Sequence, residues 1–370
     1  MAPRNEIERT IAGIFGSALG VDSVGVHDNF FTLGGDSFLA TRVMSRLREA
    51  FHVKLPLETL FSAPTLGALA ERVDDAVRGA GAPLAASPAA RPRPRSCVVP
   101  LVDGSEPGTI VLVPAVGGHL SAHMMRLAHA IGGRRPVVGL TTPAHAGLGG
   151  MPRTMAELCA QYAQGIMTQT SGGPLALVGY CFGGLSALEL AVQLEDAGAD
   201  VEQVIMLETE APGSANPSPG PFDRAAALCR VARVWGLDVD AATLQGLSEE
   251  QAIQRVAASI STADLASTDV ESTLRAILDS QEAHLGMLDS WTLRMPDVPV
   301  HLLRVSALRE DAPQDYGWAA HRALASVQGL PGDHFGIVRP AYMETTSRAL
   351  GELLTHPGGA RPRAGAPTPG

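Results

Sequence analysis

The chain has 370 residues, 45% of them hydrophobic, and a formal net charge of −10. That length allows two or three domains and a sizeable core. The negative charge excludes a nucleic-acid partner, and no run of about 18 apolar residues is present to cross a membrane.

The four cysteines, Cys97, Cys159, Cys181 and Cys229, include no Cys-x-x-Cys pair, so zinc and thioredoxin-like chemistry are not expected. The charged start of the sequence has no apolar signal segment. A reducing, cytoplasmic setting is therefore expected, with Cys181 a free thiol.

Residues 1–80 read as a small helical domain. Ile7, Ile11, Ile14 and Phe15 recur at helical spacing. A second helix carries Phe38, Leu39, Val43, Met44 and Leu47. A short one is expected at 57–61 and a last one over 64–77, with Pro64 in its first turn. Between the first two helices runs Phe30-Phe31-Thr32-Leu33-Gly34-Gly35-Asp36-Ser37. Ser37 would open a helix, where backbone N–H groups and the helix dipole favour a phosphodiester. A lone Asp-Ser before a helix is more often a simple N-cap.

The whole string, set in a four-helix frame, resembles the attachment site of peptidyl carrier domains in nonribosomal peptide synthetases. The resemblance implies 4′-phosphopantetheine bound covalently to Ser37 and placed there by a phosphopantetheinyl transferase. It also implies a peptidyl substrate on that arm and upstream synthetase domains as partners.

Residues 81–96 are rich in Pro, Ala and Arg, cannot bury a core and read as a linker. From 97 to 355 strands and helices alternate. Strands are expected at 98–102, 109–113, 137–140, 175–178, 204–207, 300–305 and 325–330, with helices between most of them. That pattern predicts a mostly parallel α/β sheet. The strand signal stops between 221 and 291. A helical stripe through Phe222, Ala225, Cys229 and Ala232, with further helices at 248–259 and 270–288, reads as a lid over about 211–296. Residues 356–370 are Pro/Gly-rich and expected to be disordered.

Gly179-Tyr180-Cys181-Phe182-Gly183-Gly184 lies between an apolar run and a helical one. It fits the nucleophile elbow Gly-x-nucleophile-x-Gly, with cysteine where serine is usual. Gly179 and Gly183 permit the tight turn, which lifts Cys181 above the sheet. In such enzymes an acid and a histidine follow the nucleophile in the chain. Gly332-Asp333-His334-Phe335-Gly336 follows the last expected strand. His119 and His123 are four apart, but no third metal ligand is evident. His284, His301 and His321 read as structural or surface residues.

The elbow and the Gly-x-His-Phe segment resemble the type I thioesterase domains that end nonribosomal peptide synthetases. The resemblance implies an α/β-hydrolase fold preceded by the four-helix carrier. It gives His334 the role of base. The family's acid follows the strand after the nucleophile's helix, a position held here by Glu208. Glu210, Glu310 and Asp311 are the alternatives. The family's oxyanion hole maps to the backbone N–H groups of Phe182 and, in the loop 114–118, Val116. No metal is implied.

Serine is the family's usual nucleophile, so Cys181 is a departure. It is an introduced Ser→Cys change, simple drift, or a chemical choice. The chemical reading is that carrier-to-cysteine transfer exchanges thioester for thioester and keeps the acyl group activated. Thioesters also favour amine attack over water more than oxoesters do. Cysteine thioesterases of this kind resemble those releasing strained rings, and the specific likeness is to β-lactam-forming synthetases of the sulfazecin/monobactam type. The expected function is release of a carrier-bound peptide through a Cys181 acyl thioester, with cyclisation to a β-lactam. β-Lactone formation, macrocyclisation and hydrolysis to the linear acid are the alternatives.

Overall fold

The computed structural model describes residues 1–79, 96–213, 222–234, 239–260, 267–306 and 313–355, apart from 20, 22, 31–32, 34–36, 54, 56–58, 61–62, 119, 147, 171, 323 and 335. The expected tail, most of the expected linker, and Glu310 and Asp311 lie outside the described residues.

Among the described residues, three long helices build the N-terminal unit: α1 (Glu6–Leu19), α2 (Ser37–Phe51) and α3 (Leu66–Gly79). Each has one apolar stripe at helical spacing, and the stripes close on Ile11, Phe15, Val43, Leu47, Leu69 and Val73. Phe30, from the connection between α1 and α2, joins them, its ring 4.9 Å from that of Phe15. The last helix begins two residues later than Pro64. Thr65 caps it, its Oγ1 accepting from the Ala68 N–H at 3.3 Å, while the Pro64 carbonyl accepts from the Phe30 N–H. The short helix expected at 57–61 falls mostly outside the described residues, although Thr59 and Leu60 are helical.

The second unit is a seven-stranded sheet. Its strands are β1 (Val98–Val102), β2 (Thr109–Val113), β3 (Val137–Leu140), β4 (Leu175–Tyr180), β5 (Val201–Leu207), β6 (Val300–Val305) and β7 (Ser326–Leu330). Their order is β1-β3-β2-β4-β5-β6-β7, and every pair is parallel except β1 with β3. β2, β4 and β6 are buried along their full lengths. Helices cover both faces, so β2 and β4 read as near-continuous apolar runs rather than alternating ones, while β6 buries His301 and Arg304 as well. One face packs on α5 (Met155–Gln169) and α6 (Phe182–Asp196). The other packs on α4 (Ala122–Ile131) and α11 (Pro340–Thr355).

Between β5 and β6 stand α7 (Arg224–Val234), α8 (Ala241–Leu244), α9 (Glu249–Ile260) and α10 (Ser267–Ser290). They share a small core of their own around Leu228, Ile253, Val256, Leu274 and Leu278. Arg224 ties three of them together through Glu249, Asp279 and Glu282. Met287 of α10 anchors this lid in the main core.

The N-terminal unit rests on α4. Met125 is 1% exposed and packs into the unit's own apolar core, with Leu120 against it. Nδ2 of Asn29 lies 3.0 Å from Nε2 of His129.

Candidate active site

β4 runs straight into α6 through one residue, Cys181, the N-cap, at φ 55 and ψ −120. Left-handed φ at a residue with a Cβ costs roughly 1–3 kcal/mol and persists only where the surroundings impose it. Two glycines impose it here. A Cβ on Gly179 would come within 2.1 Å of the Gly183 carbonyl oxygen, and one on Gly183 within 2.5 Å of the Val113 carbonyl oxygen. Strand and helix meet at a distance only glycine allows. Cys181 donates its N–H to the Leu207 carbonyl at 2.8 Å, and its own carbonyl accepts from Thr209 Oγ1 at 3.1 Å. All four cysteines are free thiols, and Cys181 alone is not buried. Burial pushes the Cys97 thiol up to about 11 and the Cys159 thiol well above its ordinary range.

Glu208 follows the last residue of β5, with φ 49 and 4% exposure. Its Oε2 lies 3.2 Å from His334 Nδ1. Its Oε1 accepts from the Val305 N–H at 2.5 Å and from the Tyr316 hydroxyl at 3.0 Å. Nδ1 is the ring nitrogen turned to the carboxylate, and it donates to Glu208. Glu210, two residues on, is exposed.

His334 is held from below, its carbonyl accepting from the Tyr180 hydroxyl at 2.6 Å. Burial pulls the imidazole's pKa down. Hydrogen bonds to Cys181 and Glu208, with their charges, outweigh burial and raise it to about 10. The structure thus brings Cys181, His334 and Glu208 together from the ends of β4, β7 and β5.

Phe182 and Val116 flank the same spot. Among the described residues neither backbone N–H makes a hydrogen bond. The loop carrying Val116 is fixed by a residue that local sequence pattern did not single out. His284 of α10, expected to be structural or superficial, is 1% exposed, an interior residue behind the site. Its Nδ1 accepts from the Gly117 N–H at 3.2 Å. Its ring stacks on Phe182, centroids 4.5 Å apart and planes 6° apart. Gly118, at φ 66, leaves no room for a Cβ, which would meet Thr142 Cγ2 at 1.9 Å and His284 Cε1 at 2.8 Å. His301 is buried against Ser326, and His321 is exposed.

A cavity of about 310 Å³ opens over Cys181 and His334. Its apolar wall includes Ala115, Val116, Met124, Val231, Leu285 and Val338. His123 lines it, whereas His119 lies outside the described residues. Among the described residues no group of three or more His, Cys, Asp or Glu is arranged to hold a metal. No described helix is long and apolar enough to cross a membrane. Ser37 is the first residue of α2, at the end of the helix where the dipole suits a phosphodiester.

Residues 108–350 match the family model described as thioesterase domain. The chain belongs to the thioesterase domain family. Its sheet and helices have the α/β-hydrolase arrangement. Ahead of the thioesterase, residues 9–73 match the phosphopantetheine attachment site, a domain that carries 4′-phosphopantetheine covalently on a serine. The thioesterase chain is 32% identical over 253 residues to a dimodular nonribosomal peptide synthase of Bacillus subtilis (strain 168), which covers 68% of this chain and 10% of that protein. The chain spans only 2–10% of the length of the first three curated relatives it matches. Among solved structures, holo-AB3403, a four-domain nonribosomal peptide synthetase bound to AMP and glycine, superposes with a TM-score of 0.62 at 26% identity, covering 95% of this chain and 26% of that one. The Vlm2 thioesterase domain shares the fold, with a TM-score of 0.52 at 24% identity over 69% of this chain and 96% of that one.

Proposed function

We propose that this thioesterase releases a carrier-bound peptide through an acyl thioester on Cys181 and closes it to a strained ring, a β-lactam. The observation that supports this reading is the line Glu208–His334–Cys181, at an elbow whose thiol is reached from a cavity.

Ser37 would hold 4′-phosphopantetheine, which supplies the thiol on which the acyl chain arrives. Sγ of Cys181 attacks the acyl carbonyl carbon. A C–S bond forms at Sγ, the incoming C–S bond breaks, and Nε2 of His334 gives its proton to the departing thiol. The N–H groups of Val116 and Phe182 take the developing oxyanion, and one such donor contributes about 2.7–4 kcal/mol. Glu208 holds the ring by Nδ1 and balances its charge.

Acylation then changes the histidine. Part of its raised pKa comes from Cys181. Once Sγ is esterified that contribution is gone, and the ring becomes a base. It takes the proton from an amide nitrogen of the acyl chain as that nitrogen attacks. The C–N bond forms, the C–S bond breaks, and Cys181 is regenerated beside a protonated His334. No water enters. A thioester keeps the acyl group reactive enough to close a four-membered ring, where the ester of a serine would lie lower in energy. The lid of α7–α10 over the cavity limits competing hydrolysis.

The test uses the full chain, loaded on Ser37 with a peptidyl-phosphopantetheine and followed by mass. The expected product is lighter than the linear acid by one water. Linear acid would move the assignment to hydrolysis, and absence of any acyl adduct on Cys181 would sink it. Cys181→Ser is expected to give linear acid or a stalled ester.

A further inference from the structure

The cavity over Cys181 has an unusual charge balance. The protein as a whole carries 38 acidic and 28 basic residues, counting lysine and arginine. Yet among the described residues no carboxylate lines the cavity, while two arginines do, Arg230 from α7 and Arg339 from the segment just after His334. Among the described residues neither side chain makes an ion pair or a hydrogen bond. Arg224, two turns earlier on α7, shows what satisfaction looks like: three carboxylates surround it. Among the described residues Arg230, on the same helix, has none. An arginine fork matches a carboxylate in shape as well as charge. The apolar wall beside it strengthens such a contact by lowering the local dielectric.

We infer that Arg230 and Arg339 form an anion-recognition subsite for the acyl chain, so that the peptide delivered to Cys181 carries a carboxylate group. The inference rests on Cys181 being the acyl acceptor. Two guanidiniums on an anion would orient the chain across the cavity and hold its reacting nitrogen near the Cys181 thioester.

The experiment compares pantetheine thioesters, which lack the phosphate, of two acyl chains matched in length, one ending in a carboxylate and one in a carboxamide. Acylation of Cys181 is timed by intact mass on the full chain. The carboxylate is expected to acylate about 10- to 100-fold faster in kcat/KM, the range for one charge-assisted contact. The double variant Arg230→Gln/Arg339→Gln should bring that ratio close to one. Arg230→Lys/Arg339→Lys, which keeps the charge without the fork, should restore part of it. A ratio near one in the parent protein, or one unchanged in the glutamine variant, overturns the subsite. So does a preference that emerges only when phosphopantetheine replaces pantetheine, since the arginines would then serve the arm's phosphate. If neither thioester acylates Cys181, it is the acceptor reading that fails. Calorimetric binding of the two free acids then decides the subsite: tighter binding of the carboxylate, lost in the glutamine variant, upholds it, and equal binding overturns it.

Discussion

Gly117 gives its backbone N–H to Nδ1 of His284, 167 residues further along the chain, over 3.2 Å. The same imidazole lies flat on Phe182. One residue of α10 therefore touches both segments, the 114–118 loop and the start of α6, whose N–H groups face the reacting carbonyl in the proposed mechanism. His284→Ala is expected to lower acylation of Cys181 by about 10- to 100-fold, because a misplacement near 1 Å at such a site costs about that much. The loss should fall on kcat with KM nearly constant. His284→Asn, which keeps an acceptor for the Gly117 N–H, should recover part of it. A change confined to KM would remove His284 from this role.

Glu208 separates an activity effect from a stability effect. Glu208→Gln keeps an oxygen for the Val305 N–H and the Tyr316 hydroxyl but no longer orients and balances the His334 ring. Acyl transfer should fall by 100-fold or more (about 10⁴ is seen at a comparable orienting carboxylate), with little loss in the urea midpoint. Glu208→Ala orphans both buried donors, each worth about 1–3 kcal/mol. It should cost stability as well as activity, so the two variants together distinguish a chemical role from a structural one.

The pH dependence of stability follows from His334. Burial lowers its pKa, but Cys181 and Glu208 raise it further, to about 10 in the folded chain, against about 6.5 unfolded. The folded state therefore binds more protons between those values. The stability this group contributes is complete below about pH 6.5 and is lost as pH rises through about 10. Urea midpoints of the parent protein should fall over that range relative to those of His334→Gln. A difference that grows with pH would show the coupling to have the opposite sign.

Met125 bears on delivery rather than chemistry. It is buried in the apolar core of the N-terminal unit, on a helix of the other unit. Met125→Asp places a charge there and should loosen the contact. Transfer from an acyl group loaded on Ser37 is expected to slow about tenfold, since effective concentration depends on docking geometry. Acylation by a free pantetheine thioester should be affected much less. Equal losses in both assays would mean that α4 itself is distorted.

The alternation of strands and helices, the glycine elbow and the lid were legible in the sequence, because period, turn chemistry and strand burial are written within a few consecutive residues. Each of the seven strands lies within two or three residues of where its apolar run put it. The glycine-rich turns that carry Cys181 and His334 were legible for the same reason, each following a strand. The start of α3 was misplaced by two residues because the Pro64 carbonyl is claimed by Phe30, from another segment. The family resemblance, not local pattern, put Glu208 ahead of Glu210; the fold turns Glu208 inward at a buried strand end, with φ 49°, and leaves Glu210 exposed. His284 and the Arg230–Arg339 pair left no local mark at all. Whether a polar side chain on a helix meets water, a backbone N–H or a cavity depends on which element packs against it. The chain's local patterns determined the sheet and the elbow, and only the packing of the lid on the sheet decided what surrounds the thiol.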